Sequence, residues 1–188
     1  EAGAGNDTSY GGSGDDTIND QTGDDILYGG AGNDIVETGA NGRGDDTMYG
    51  EAGGDTFVVS GNFGDDTIVG GENGNDGDTL DGGTLTEDIN VTFDGDESGN
   101  FTGQTTGSDA QFSEIEAINT GSGDDTVDAS ADSVGTTINT GAGDDTVLGG
   151  AGGDTLITGT GDDTVDGGAG ADSINAGDGD DALVINDG

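Results

Sequence analysis

Gly11-Gly12-Ser13-Gly14-Asp15-Asp16-Thr17-Ile18-Asn19 is a nine-residue unit of the form Gly-Gly-x-Gly-x-Asp-x-apolar-x. It returns as Gly29-Gly30-Ala31-Gly32-Asn33-Asp34-Ile35-Val36-Glu37 and as Gly167-Gly168-Ala169-Gly170-Ala171-Asp172-Ser173-Ile174-Asn175. One apolar residue in nine cannot line the face of a helix, which needs apolar residues three and four apart. The spacing suits three-residue strands separated by six-residue turns, with the central side chain of each strand pointing inward. Two units then close one coil, and successive coils stack at the ordinary strand separation of about 4.8 Å.

Aligning on the aspartate two residues before the apolar position sets the register. The aspartates are Asp7, Asp16, Asp25, Asp34, Asp46, Asp55, Asp66 and Asp78, then Asp125, Asp145, Asp154, Asp163, Asp172 and Asp181. An insertion around Asn41 and Gly42 precedes Asp46, and further insertions precede Asp66 and Asp78, where Asp76 competes for the same place. The apolar rank reads Ile18, Leu27, Val36, Met48, Phe57, Ile68, Leu80, Val127, Val147, Leu156, Val165, Ile174 and Leu183; Ser9 breaks it. A degenerate unit, Ala129 to Asn139, keeps Ile138 but has no aspartate in register, so cation binding beside it is expected to be weak or absent. Threonine usually precedes the apolar residue, as at Thr17, Thr47, Thr126 and Thr164, and β-branching favours an extended backbone. Proline is absent, which suits strands that all donate to a neighbour.

Composition narrows the chemistry. The 188 residues carry 42 acids and one base, Arg43, with no histidine, for a formal net charge of −41. So acidic a surface argues against nucleic acid and anionic membranes and in favour of cations. With no cysteine there is neither a disulfide framework nor a thiolate metal site. No apolar run reaches the length of about 18 residues that a membrane-spanning helix needs, so membrane insertion is not expected. The chain starts and stops in mid-repeat, which suggests an excerpt of a longer protein, and no signal-peptide pattern opens it. Histidine, cysteine and lysine are all missing, and adjacent acids such as Asp15-Asp16 form no cleft, so an enzyme is not expected. The tripeptide Arg43-Gly44-Asp45 reads as part of a repeat turn rather than an adhesion motif.

Oxygen donors are what remain. Calcium takes 6–8 oxygen ligands from carboxylates and carbonyls at about 2.3–2.6 Å, whereas magnesium demands a strict octahedron and retains its waters. Glycine turns bring carbonyls close to an ion, and aspartates supply charge. One buried apolar side chain per nine residues is a thin core, and acidic repulsion opposes it, so a bound metal is the expected missing stabiliser.

The in-phase units resemble the repeats-in-toxin (hemolysin-type calcium-binding) family over about three quarters of the chain. That resemblance implies an all-β fold, a right-handed parallel β-roll (β-solenoid), with calcium between turns on the same side of consecutive coils. It assigns the metal to the fourteen aligned aspartates and to the turn glycines four and two residues before them. Those glycines are Gly12, Gly14, Gly30, Gly32, Gly121, Gly123, Gly141, Gly143, Gly150, Gly152, Gly159, Gly161, Gly168 and Gly170. The acids just before the aligned aspartates (Asp15, Asp24, Asp45, Asp65, Asp124, Asp144, Asp162 and Asp180) read as solvated surface charge. One ion between adjacent turns of a stack gives about ten calcium ions. Residues 82–119 interrupt the repeat, and Ile89-Asn90-Val91-Thr92-Phe93 alternates like a half-buried strand, so a strand or hairpin stacked on the roll is expected there. This divides the chain into a first calcium-binding block (1–81), the insert (82–119) and a second block (120–188). In similar families such repeats stay unfolded in the calcium-poor cytosol, pass through a type I secretion channel and fold outside. The implied role is a calcium-dependent structural module of a secreted, extracellular or cell-surface bacterial protein. The alternative is a self-assembling block of a filament, surface layer or adhesin. Self-association and attachment to a larger polypeptide both stay open.

Overall fold

Each threonine–apolar–polar triplet of the repeat forms a short strand whose central side chain turns inward, as in Thr17–Asn19, where Ile18 alone is buried. The computed structural model describes residues 3–19, 21–38, 44–71 and 77–184. Arg43, the insertions at Asn41, Gly42 and Asn73, and Asp76 lie outside the described residues. None of the described residues is helical.

The first half alternates between two sheets through β1 (Thr8–Ser13), β2 (Thr17–Asn19), β3 (Ile26–Ala31), β4 (Ile35–Glu37), β5 (Thr47–Ala52), β6 (Thr56–Val58), β7 (Asp65–Gly71) and β8 (Thr79–Asp81). There follow β9 (Ile89–Gly95), β10 (Ser98–Gly103), β11 (Asp109–Ser113) and β12 (Ala117–Asn119). The second half runs through β13 (Thr126–Asp128), β14 (Thr137–Asn139), β15 (Thr146–Leu148), β16 (Thr155–Ile157), β17 (Thr164–Asp166), β18 (Ser173–Asn175) and β19 (Ala182–Val184). The larger sheet has the order β1-β3-β5-β7-β11-β10-β9-β13-β15-β17-β19, and the smaller β18-β16-β14-β12-β8-β6-β4-β2. The result is a parallel β-roll, a solenoid of about eight turns.

The apolar residues stack in register from coil to coil. Ile18 pairs with Val36, Val36 with Phe57, Phe57 with Leu80, Leu80 with Ile118, and Ile118 with Ile138. Leu27, Met48 and Ile68 form the matching row of the other sheet. Each of these is at most 5% exposed, so the core is one side chain thick per strand, as the spacing requires. Leu183 is in register with Val165 but is 47% exposed.

Two features depart from the expectation. The first four strands of the larger sheet run six or seven residues rather than three, because pairing resumes past the apolar residue at Gly12↔Gly30 and Gly30↔Glu51. The interruption, moreover, widens one sheet only, because its last strand, β12, keeps the regular register of the smaller sheet. The antiparallel strands β9 and β10 and the following β11 wedge between β7 and β13, while the smaller sheet passes directly from β8 to β12. Aromatic residues fill the wider interior there: Phe63 meets Phe101 at 5.9 Å between ring centroids, and Phe93 meets Phe112 edge-on at 5.2 Å.

Glu51 stands where the repeat expects glycine, and the ladder holds it at φ 77° between Gly30 and Gly71. A side chain in the left-handed region costs about 1–2 kcal/mol. Glu51→Gly is therefore expected to raise stability by about 1 kcal/mol in thermal unfolding at saturating calcium. An unchanged or lower melting temperature would show that Glu51 makes a compensating contact.

Candidate metal centre

The turns between strands carry the repeat aspartates in two stacks, and each stack is wired by hydrogen bonds between coils. The Asp7 N–H donates to Asp25 Oδ1 (2.5 Å), the Asp25 N–H to Asp46 (2.9 Å) and the Asp46 N–H to Asp66 (2.9 Å). On the other side the series is Asp16 to Asp34 (2.8 Å), Asp34 to Asp55 (2.7 Å) and Asp55 to Asp78 (2.6 Å). Asp78 therefore holds the register, and Leu80, two residues on, sits in the apolar rank. The second half repeats the pattern from Asp125 to Asp145 (2.8 Å), Asp145 to Asp163 (2.9 Å), Asp163 to Asp181 (3.0 Å) and Asp154 to Asp172 (3.0 Å).

Oδ1 of each accepting carboxylate in these series is thus used by the backbone. The other oxygen faces inward. Oδ2 of Asp16, Asp25, Asp34, Asp46, Asp66 and Asp163 is buried and accepts no hydrogen bond. Asp25, Asp34, Asp46, Asp55, Asp66, Asp78, Asp125, Asp145, Asp154 and Asp163 are each at most 2% exposed, while Asp7, Asp16, Asp172 and Asp181, at the outer turns, are more open. Burial pushes the Asp66 carboxyl up to about 8 and the Asp46 carboxyl up to about 6, even though each accepts a backbone N–H that lowers it. Neighbouring aspartates raise both further. Burial likewise raises Asp125 to about 6, against the Thr120 hydroxyl and the Ile89 N–H, and it raises Asp145 and Asp132. Stacked buried carboxylates with unused oxygens are costly unless a cation joins them. Among the described residues no three acidic side chains converge into one cluster, so a cation held here would need main-chain oxygens as well.

The glycines make room for those carbonyls. Gly12, Gly14, Gly30, Gly32, Gly121, Gly123, Gly141, Gly143, Gly159, Gly161, Gly168 and Gly170 all have positive φ. A Cβ on Gly141 or Gly159 would strike the carbonyl oxygen of the equivalent turn residue one coil earlier. Gly150 and Gly152 are the exceptions without positive φ, and the turn stacked against them is the longer, degenerate one. The glycine five residues before the aspartate has a separate reason: a Cβ on Gly149 or Gly167 would press on Oδ2 of Asp154 (2.9 Å) or Asp172 (2.7 Å). At Thr120 this place carries a side chain, and its hydroxyl donates to Asp125 Oδ2.

Three features were not foreseen. Glu116, two residues before Ile118, continues the smaller sheet's acidic stack by accepting the Asp78 N–H through Oε2 (2.6 Å). Its spacing from Ile118 was the available signal, hidden by the change from aspartate to glutamate. In the larger sheet the stack is broken instead, since Ala110 is in register with Asp66 and Ile89 donates its N–H to Asp125. Finally, the acids preceding the repeat aspartates are exposed but form an outer ladder of their own. Asp124 accepts the N–H of Asp144, Asp144 that of Asp162, and Asp162 that of Asp180, at 2.9–3.0 Å.

The arrangement defines a class of protein: a parallel β-roll whose turns present ordered carboxylate and carbonyl oxygens. The family model described as RTX calcium-binding nonapeptide repeat (4 copies) matches residues 1–40, 42–57, 115–133, 137–156 and 148–183. The chain belongs to this family of calcium-binding repeats. A search of curated proteins returned no match.

Proposed function

We propose that the chain is a calcium-dependent structural module of a secreted or cell-surface protein, one that folds when it meets calcium outside the cell. The observation that carries this reading is the row of buried Oδ2 atoms that accept no hydrogen bond, repeated at Asp16, Asp25, Asp34, Asp46, Asp66 and Asp163. Calcium bound between turns would neutralise these carboxylates and tie each coil to the next. The repeat aspartates and the carbonyls of the turn glycines hold it, in two blocks, 1–81 and 120–188, joined through residues 82–119. The role is structural rather than catalytic.

Titration calorimetry and native mass spectrometry test this reading. About ten calcium ions are expected per chain, with magnesium a poor substitute. Fewer than about five at saturating calcium would mean that most of the glycines serve the turns alone.

A further inference from the structure

The degenerate turn between β13 and β14 holds an acid that the repeat does not predict. Ala129 occupies the level of Gly149, since the Ala129 N–H donates to Leu148 O as the Gly149 N–H does to Asp166 O. Ser130 and Ala131 are then extra, and Asp132 takes the place of Gly150: the Ala151 N–H donates to Asp132 O just as the Ala169 N–H donates to Gly150 O. Thr136 fills the position of the repeat aspartate, and its N–H donates to Asp154 Oδ1 (3.0 Å).

Asp132 is only 1% exposed. Its Oδ1 accepts the Val134 N–H (3.0 Å) and the Glu97 N–H faces the carboxyl, while Oδ2 is buried and accepts no hydrogen bond. Asp154, also 1% exposed, belongs to the turn stacked against it and accepts the Gly150 N–H through Oδ2 (3.1 Å). The carbonyls of Asp132 and Ala129 both crowd Gly150, where a Cβ would lie 2.8 Å from Ala129 O. The loop is anchored from outside, as Ser133 donates through N–H (2.8 Å) and Oγ (2.7 Å) to Asp96 in the β9–β10 turn.

We infer that Asp132 supplies the acidic ligand of a further calcium site between the turn 129–136 and the turn 149–154, in place of the aspartate missing at Thr136. The inference rests on the calcium reading above. It reverses the expectation that this unit binds weakly or not at all. Two acids and main-chain oxygens in one small buried region match a hard cation, and a buried carboxylate beside another without one is costly.

The test compares the full chain with Asp132→Asn, which keeps the Oδ1 acceptor for Val134 and removes the charge. In native mass spectra at saturating calcium, Asp132→Asn should hold one ion fewer than the parent. An equal ion count would overturn the inference and mark Asp132 as a buried, protonated turn residue. A parent that binds no calcium would instead bring down the broader reading as well. Should Asp132→Asn fail to fold in calcium, Asp132→Asn/Thr136→Asp decides the matter. Recovery of folding and of the full ion count supports the site; failure to recover shows that Asp132 acts through packing alone.

Discussion

In excess chelator the chain is expected to lose most of its β structure, and to regain it when calcium is added. The apolar rank is one residue deep per strand, so few buried side chains oppose the entropy of ordering the intervening turns. Against folding stands a net charge of −41, with the repeat aspartates brought into stacks as the roll closes. About ten divalent ions would offset roughly half of that charge and would do so where it is most concentrated. Extracellular calcium modules bind at about 10⁻⁴–10⁻³ M, so the circular dichroism midpoint should fall near or below that range, with magnesium less effective. Because many ions bind in one folding step, the transition should be steep in calcium concentration. A chain that keeps its full β signal in chelator would defeat this account, since the core and hydrogen bonds alone would then suffice.

Asp163→Ala is expected to lower the unfolding free energy in millimolar calcium by about 3–5 kcal/mol, whereas Asp162→Ala should change it by less than about 1 kcal/mol. The two residues are adjacent and identical in type, but the roll treats them differently. Asp163 is 1% exposed, accepts the buried Asp145 N–H and turns Oδ2 inward. Asp162 lies on the surface, where it accepts the exposed Asp180 N–H. Urea unfolding at fixed calcium is the suitable measurement. The calcium midpoint is a weaker readout, because a loss at one turn is spread over all the ions taken up on folding. Equal effects of the two substitutions would show that the acids of the repeat are interchangeable and that the inner stack has no special role.

Much of this could be read before any coordinates. One apolar residue in nine excludes a helix, and the regular aspartates and glycines mark turns that recur on two sides of a coil. Leu27, Val36, Phe57, Val147 and Leu156 lie in the core where the spacing puts them, and Asp25, Asp34, Asp145 and Asp163 lie in the stacks. These are local properties: each nonapeptide carries its own strand, turn and register, and repetition multiplies a weak signal. Tertiary structure alone decided which turns meet. Neighbouring coils join residues 18 apart in the regular stretches but 38 apart where Asp78 finds Glu116, since insertions lengthen the loop without changing the pairing. Hence the choice of Asp78, the entry of Glu116 into the stack, and the burial of Asp132 against the turn of Asp154. The unused carboxylate oxygens belong to the same level, because an aspartate shows its charge in the sequence, but only the coil stacked on it determines which oxygen the backbone takes and which it leaves for an ion.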